Sequence, residues 1–249
     1  MSPTGGPASG PFSNSASVPS PAAPVPSPSP LPPPVCVTAD ILSDCFVGLV
    51  GTIPPGSVGG WSFEQSFGPK GGQVSFGSDQ MSFDMLAINN APGAKKSIAL
   101  ASVNNITAQY EFTEFPTPTG LGNSFYEFYI VNADLSEAVF IRFVDDGSFF
   151  VGAGSTSTGN SYFGTWTPNN GTHKVHLTVD GSGNPTLWLD GVALPITLNG
   201  PFGFFLGSMP ANVVVFFAGA GLSFPVSSPV LDAFVATGNF APTQEFCCP

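Results

Sequence analysis

The stretch Gly171-Thr-His-Lys-Val-His-Leu-Thr-Val-Asp-Gly-Ser-Gly-Asn-Pro-Thr-Leu-Trp-Leu-Asp-Gly191 decides how the rest of the chain is read. Successive side chains of a strand point to opposite faces. Val175, Leu177 and Val179 therefore form one apolar row, and Lys174, His176 and Thr178 face away from it. Leu187 and Leu189 repeat the apolar row on the return strand. Between them, Asp180-Gly-Ser-Gly-Asn184 supplies residues that tolerate positive φ and let the chain reverse. Asp190-Gly191 supplies a second tight turn. The stretch predicts a β-hairpin with one face against an apolar core.

The same texture extends in both directions. Short runs rich in Phe, Val, Ile, Tyr and Thr recur at 61–67, 80–88, 97–103, 107–115, 124–131, 137–144, 148–151, 161–166, 213–217 and 230–236, bounded by Gly, Asn, Asp and Pro. In 137–144, Phe140, Arg142 and Val144 oppose Val139, Ile141 and Phe143. No segment sustains a helical apolar period. The expectation is an all-β fold of about a dozen strands, in a two-sheet antiparallel β-sandwich over residues 35–249. Gly203-Phe-Phe205 and Val213–Phe217 lack polar alternation, so both of their faces must be covered, within the sandwich or by a neighbour.

Residues 1–34 read differently. They hold twelve prolines and eight serines, and proline fixes φ and removes the amide donor. An extended Pro/Ser-rich arm or linker is expected, rising about 3.1 Å per residue where polyproline II forms. Over the 249 residues the aromatic fraction is 12% and the charged fraction only 8%, which contrasts with about 25% charged in ordinary domains. A net charge of -11 argues against nucleic acid, whose phosphates need clustered basic groups, and against anionic membranes. No run reaches the roughly 18 apolar residues of a membrane span. No charge precedes Asp40, so an ordinary secretory signal with a basic start is not expected at Met1.

The 171–191 hairpin resembles that of laminin-G-like, concanavalin-A-like jelly rolls, in which a strand ending Val-x-Asp-Gly turns into Leu-aromatic-Leu/Val-Asp-Gly. Gly60-Trp-Ser-Phe-Glu64 is similar to the opening strand of that fold, and Ser228–Gly238 to the closing strand, which lies near the first. Phe125–Asn132 and Ala138–Gly147 resemble its paired central strands. The resemblance spans about residues 60–238 and implies a concanavalin-A-like jelly roll. That fold hosts glycosidases, lectins, adhesion modules and structural domains, so fold alone does not assign an activity.

The hydrolases of this superfamily use a Glu-x-Asp-x-x-Glu run to set two carboxylates on one strand face, and the run is absent. Glu111 and Glu114 fall at odd spacing and read as exposed strand carboxylates on opposite faces. His173 and His176 likewise point to opposite faces and do not clamp one metal from a regular strand. Asp145-Asp146-Gly147 reads as a turn, with Asp134 and Asn132 as further oxygens should calcium bind. No metal or cofactor is otherwise expected, and no catalytic residue is assigned. Trp61, Trp166 and Trp188 are the candidate sugar-stacking rings, with burial the competing reading. Cys36, Cys45, Cys247 and Cys248 flank the strand region. Adjacent Cys247 and Cys248 pair poorly with each other, so each is expected to bridge to one of Cys36 and Cys45, with free thiols or intersubunit bridges as the alternatives. Asn105-Ile-Thr and Asn170-Gly-Thr are N-glycosylation candidates.

These features are expected of a non-catalytic structural or adhesive surface protein. The leading form is a virion component (capsid decoration, fibre or tail) that forms a homo-oligomer or joins other coat subunits through its arm. The alternatives are a secreted lectin-like glycoprotein binding glycans on a Pro-rich stalk, and a fibril subunit of an extracellular matrix.

Overall fold

A computed structural model describes residues 36–248 except 65–70, 88–89, 116–123, 156–158, 202–209 and 220–225. The expected arm at 1–34 and the 203–205 run lie outside the described residues. Among the described residues there are twenty strands and no helix. In chain order they are β1 Cys36–Val37, β2 Leu42–Asp44, β3 Gly51–Ile53, β4 Ser57–Val58, β5 Trp61–Glu64, β6 Gln73–Gly77 and β7 Gln80–Met85. There follow β8 Gly93–Ser97, β9 Ile106–Thr113, β10 Phe125–Val131, β11 Glu137–Val144, β12 Ser148–Ser155 and β13 Asn160–Thr165. The last are β14 Thr172–Val179, β15 Pro185–Leu189, β16 Val192–Ala193, β17 Thr197–Pro201, β18 Val213–Gly219, β19 Val226–Thr237 and β20 Glu245–Phe246.

Two sheets make the expected antiparallel sandwich. The first runs β17-β13-β12-β11-β10-β18-β8-β5-β4 and the second β16-β15-β14-β9-β19-β7-β6-β3, with β2 added beside β19. The 171–191 hairpin is β14 and β15, in register from Val175 opposite Leu189 to Val179 opposite Pro185. Its Asp180 oxygens accept the amides of Ser182 and Asn184, and Gly183 takes φ 83°.

Aromatic rings fill the space between the sheets. Tyr110 of β9 meets Phe128 of β10 at 4.8 Å and Phe216 of β18 at 5.3 Å. Phe112 meets Tyr126 at 4.5 Å and Phe143 at 5.6 Å, and Trp166 caps Phe143 edge-on at 5.1 Å. Such pairs each contribute about 0.5–1.5 kcal/mol beyond the area they bury. At the far end Trp61 packs on Phe46 and Phe216. Its indole N–H donates to Asp44 Oδ2 at 2.7 Å, and Lys96 Nζ donates to the same oxygen at 2.6 Å. One buried carboxylate thus ties β2 of the second sheet to β5 and β8 of the first.

Two sequence expectations are corrected. The strand expected at 97–103 is displaced to β8, Gly93–Ser97; Leu100 and Val103 are buried as core plugs after the strand has ended. The closing strand β19 does not neighbour the Trp61 strand. Its antiparallel partners are β9, β7 and the earlier strand β2, because the bulge between Val230 and Asp232 lets one long strand serve β7 with its first half and β2 with its second.

The two ends of the described chain are stapled together. Cys36 bridges Cys247, Cys45 bridges Cys248, and β1 pairs with β20 in parallel between them. In the chain-entropy account the first bridge, closing 211 residues, removes about 5 kcal/mol of unfolded-state freedom. The second then closes a ring of only about ten residues and adds about 3 kcal/mol. Beneath them Phe246 stacks on Phe234 at 5.7 Å, so the tail is packed as well as tethered.

A Cβ added to Gly93 would stand 2.3 Å from the Phe217 ring, whereas one added to Gly77 meets nothing within 4 Å. Gly93→Ala is expected to lower the unfolding free energy by about 1–3 kcal/mol in urea titration, with Gly77→Ala no less stable than the parent. Equal stability of both variants would contradict this packing.

Candidate functional site

Strands β10, β11 and β18 are buried on both faces. Phe128, Ile130, Val139, Ile141, Phe143, Val214 and Phe216 join the core between the sheets. The alternate residues Tyr129, Val131, Ala138, Phe140, Val213, Val215 and Phe217 form a second apolar cluster on the outer face of the first sheet. The unbroken run Val213–Phe217 is explained by this double burial.

Into that outer cluster the register places one charged row. Glu64 of β5 lies opposite Gly93 of β8, Gly93 opposite Phe217, Phe217 opposite Glu127 of β10, and Glu127 opposite Arg142 of β11. Glu64 is 2% exposed and pairs with Lys95 at 2.9 Å. Glu127 is equally buried; its Oε1 accepts from the Arg142 guanidinium, and its Oε2 has no hydrogen-bond partner. Burial pushes the Glu127 carboxyl up to about 7, the guanidinium opposing it only in part. Arg142 also lies over the Phe125 and Phe140 rings, 5.1 and 5.7 Å from their centres.

The same row continues outward into solvent. Arg142 faces Phe150 of β12, and Phe150 faces Phe163 of β13. Phe150 is 38% and Phe163 44% exposed, an unusual cost for two rings directly opposite each other on neighbouring strands. The result is a pair of exposed rings, side by side in the strand register, with a fixed charged pair at its inner edge. In the sequence, Ser148–Val151 and Ser161–Trp166 read only as short aromatic strand runs, and neither phenylalanine stands out as a binding ring. The signal was there in the alternation: Phe149 points inward, so Phe150 must point out, on the face that carries Arg142.

A second polar cluster sits on the other sheet. His173 Nδ1 is 2.7 Å from Asp190 Oδ2, and its Nε2 is 2.8 Å from Glu114 Oε1. Glu114 is buried, not exposed as its sequence context suggests. It also accepts the amides of Asn169 and Asn170, capping the turn before β14. Burial alone would lower the His173 pKa, but the hydrogen bonds to Glu114 and Asp190 outweigh it and raise it. The adjacent gap, lined by Phe115, Tyr126 and Trp166, is about 10 Å³, too small for more than one water. This cluster is a structural clamp. On the outer face of the same sheet, burial and the neighbouring Glu111 push Asp232 up to about 7, against Lys174.

The residues named from sequence are dispersed. Trp61 is fully buried and Trp166 nearly so, which corrects both as stacking platforms: their faces are spent on the core. Trp188 is half-buried, edge-on to His176 at 5.3 Å. Asp134 lies in the turn before β11, and Asp145 and Asp146 in the turn after it, about 25 Å apart by strand rise. They cannot share an ion, and the joint calcium reading is corrected on that ground. Asp134 and Asp146 each accept from a serine two residues on, and Asp145 accepts the Ser124 amide. Among the described residues no group of three or more His, Cys, Asp or Glu is placed to hold a metal. His173 and His176 do face opposite ways, but His176 is buried too, under the C-terminal segment that accepts its Nε2–H at Phe240 O. Asn105 and Asn170 both sit exposed in positive-φ turns.

No protein family's sequence profile matches the chain, and no curated protein matches it. Solved structures do resemble it in fold. An endo-1,3-beta-glucanase from Streptomyces sioyaensis superposes with TM-score 0.53 at 12% identity, over 84% of this chain and 98% of that one. A glycoside hydrolase family protein from Mycobacterium thermorestibile gives 0.52 at 14%, over 78% and 99%. A sialidase gives 0.52 at 11% over 83% of this chain, which spans only 19% of the sialidase. These likenesses show the concanavalin-A-like sandwich.

The shifted groups set a pH dependence. Unfolded, Asp232, Glu127 and His173 return to ordinary values near 3.8, 4.5 and 6.5. Each is raised in the folded chain, so each stabilises fully below its unfolded pKa, and that contribution is lost as pH rises through the folded value. His176, lowered by burial, works the other way below pH 6.5, but Glu127 and Asp232 carry the larger shifts. The melting temperature is therefore expected to fall between pH 4 and pH 8, and Asp232→Asn to flatten the acid half of that profile. A melting temperature that rises across this range would contradict the assignment.

Proposed function

We propose that this chain is a non-catalytic binding module that recognises neutral glycans on the outer face of its first sheet. The observation that carries the reading is the exposed Phe150–Phe163 step beside the buried Arg142–Glu127 pair. Sugar rings present C–H faces that stack on aromatic side chains, and their hydroxyls need fixed donors and acceptors at the edge of the stack. Phe rings supply the first, and the Arg142 guanidinium, locked by buried Glu127 and itself part-exposed, supplies the second. Arg142 is already neutralised by Glu127, and the chain carries a net charge of -11, so neutral sugars are favoured over sialylated or sulfated ones. The glycan-directed names of several fold neighbours agree with this direction.

A glycosidase reading finds less support. Glu127 has the raised pKa of an acid catalyst, but its row partner Glu64 is three strands away, about 14 Å between backbones. Phe217 stands between them with its ring over Gly93. Paired catalytic carboxylates work at roughly 5–9.5 Å. The two disulfides fit an oxidising setting, outside the cytoplasm or on a virion surface. A coat or filament subunit is the second reading. It is favoured by Val47, Val50, Val192 and Leu198, each more than half exposed on a surface with few charges. A chain that sediments only as a monomer at high concentration would remove that second reading.

Calorimetric titration with neutral β-glucan and mannan oligosaccharides tests the first. Binding is expected to at least one, and Phe150→Ala and Phe163→Ala are each expected to weaken it about tenfold, with the melting temperature kept because both rings are exposed. Binding untouched by both substitutions would overturn the reading. So would accumulation of new reducing ends, or failure of every neutral glycan to bind.

A further inference from the structure

The far end of β12 carries a cleft of about 220 Å³ with different chemistry. Its walls come from Glu137 at the start of β11, Gly154 at the end of β12, Asn160 at the start of β13, Asn104 ahead of β9, and Ser182 and Asn184 of the β14–β15 turn. Among the described residues no Lys, Arg or aromatic ring lines it, and one carboxylate does. An anion would find no positive charge there, and a planar ring no stacking partner. What remains is a set of amide, carboxylate and backbone groups suited to hydroxyls. The cleft is too roomy for a single ion or a single water and is on the scale of one sugar ring.

The walls are fixed before any ligand arrives. Glu137 Oε2 accepts Ser102 Oγ at 2.7 Å and the Val103 amide at 3.1 Å, which locks the carboxylate and leaves Oε1 over. Asp180 holds the turn through Ser182 N at 2.8 Å, Asn184 N at 2.9 Å and Asn184 Nδ2 at 3.1 Å. Asn104 Oδ1 rests against Gly183 with no donor of its own. The last torsion of an Asn side chain is broad, so this oxygen turns toward an arriving hydroxyl at little cost. Only the Asn104 amide has to turn for a ligand, since Glu137 and the 180–184 turn are already ordered.

We propose that this cleft binds one neutral, polyhydroxylated sugar unit, with Asn104 and Glu137 as acceptors and Asn160 completing the polar wall. The site is independent of the Phe150–Phe163 step and stands if that step binds nothing. The test is titration of the full chain with free glucose, galactose, mannose and N-acetylglucosamine, followed by saturation-transfer NMR. At least one is expected to bind with a Kd of about 1 mM, as its small size dictates. Asn104→Ala and the exposed-site variant Asn160→Ala are each expected to weaken binding about tenfold, and Phe150→Ala to leave it unchanged. The Asn160 variant carries the test should Asn104→Ala destabilise the chain. The proposal is overturned if no monosaccharide binds saturably, or if binding is lost in Phe150→Ala but kept in Asn160→Ala. It is equally overturned if calcium alone binds and is lost in Asn104→Ala while sugars do not bind, since the cleft would then be a cation site.

Discussion

The layer of rings between the two sheets governs what the rest of the chain must do. Tyr110, Phe112, Tyr126, Phe128, Phe143 and Phe216 are buried and touch in a continuous seam. Trp61 and Trp166 close its two ends. Rings this large set the sheet spacing and leave little slack, so the strands that carry them must keep their register or turn every ring to the wrong face. Asp44 is the polar price of closing one end: the Trp61 indole N–H needs a buried acceptor, and that acceptor's charge in turn needs Lys96.

Charge is placed with the same economy. Among the described residues, Lys95, Lys96, Arg142 and Lys174 all pair with carboxylates, and His173 lies between two more. In three of these pairs the acid is Glu64, Asp44 or Glu127, each nearly or wholly buried. Among the described residues the cations thus sit in ion pairs with carboxylates. For the proposed site this leaves rings, amides and hydroxyls as the recognition groups, which suit neutral sugars.

The fold was legible in the sequence because the 171–191 hairpin combines strict alternation with unambiguous turn residues. The alternation in 137–144 likewise assigned Phe140 and Arg142 to one face. Legibility failed where pairing is not local. Nothing in Ser228–Gly238 says that a bulge after Val230 will split its pairing between β7 and β2. Leu100 and Val103 look like strand residues because burial in a loop and burial in a strand select the same side chains. The three tryptophans drew attention as binding rings, yet large rings are most useful to a sandwich as core. The exposed pair instead came from two unremarkable phenylalanines, and their juxtaposition depends on the β12–β13 register. Glu114 was misread for a related reason: its partners are 55 residues and more away in sequence.

The central claim is that the outer face of the first sheet is a sugar platform built from Phe150 and Phe163 and edged by Arg142 and Glu127. A crystal structure of the full chain with a neutral oligosaccharide tests it most directly. The account predicts a sugar ring lying on the two phenylalanines, with a hydroxyl in reach of the Arg142 guanidinium. An intact oligosaccharide bound elsewhere, with this face bare, would contradict it, as would a cleaved product between Glu64 and Glu127.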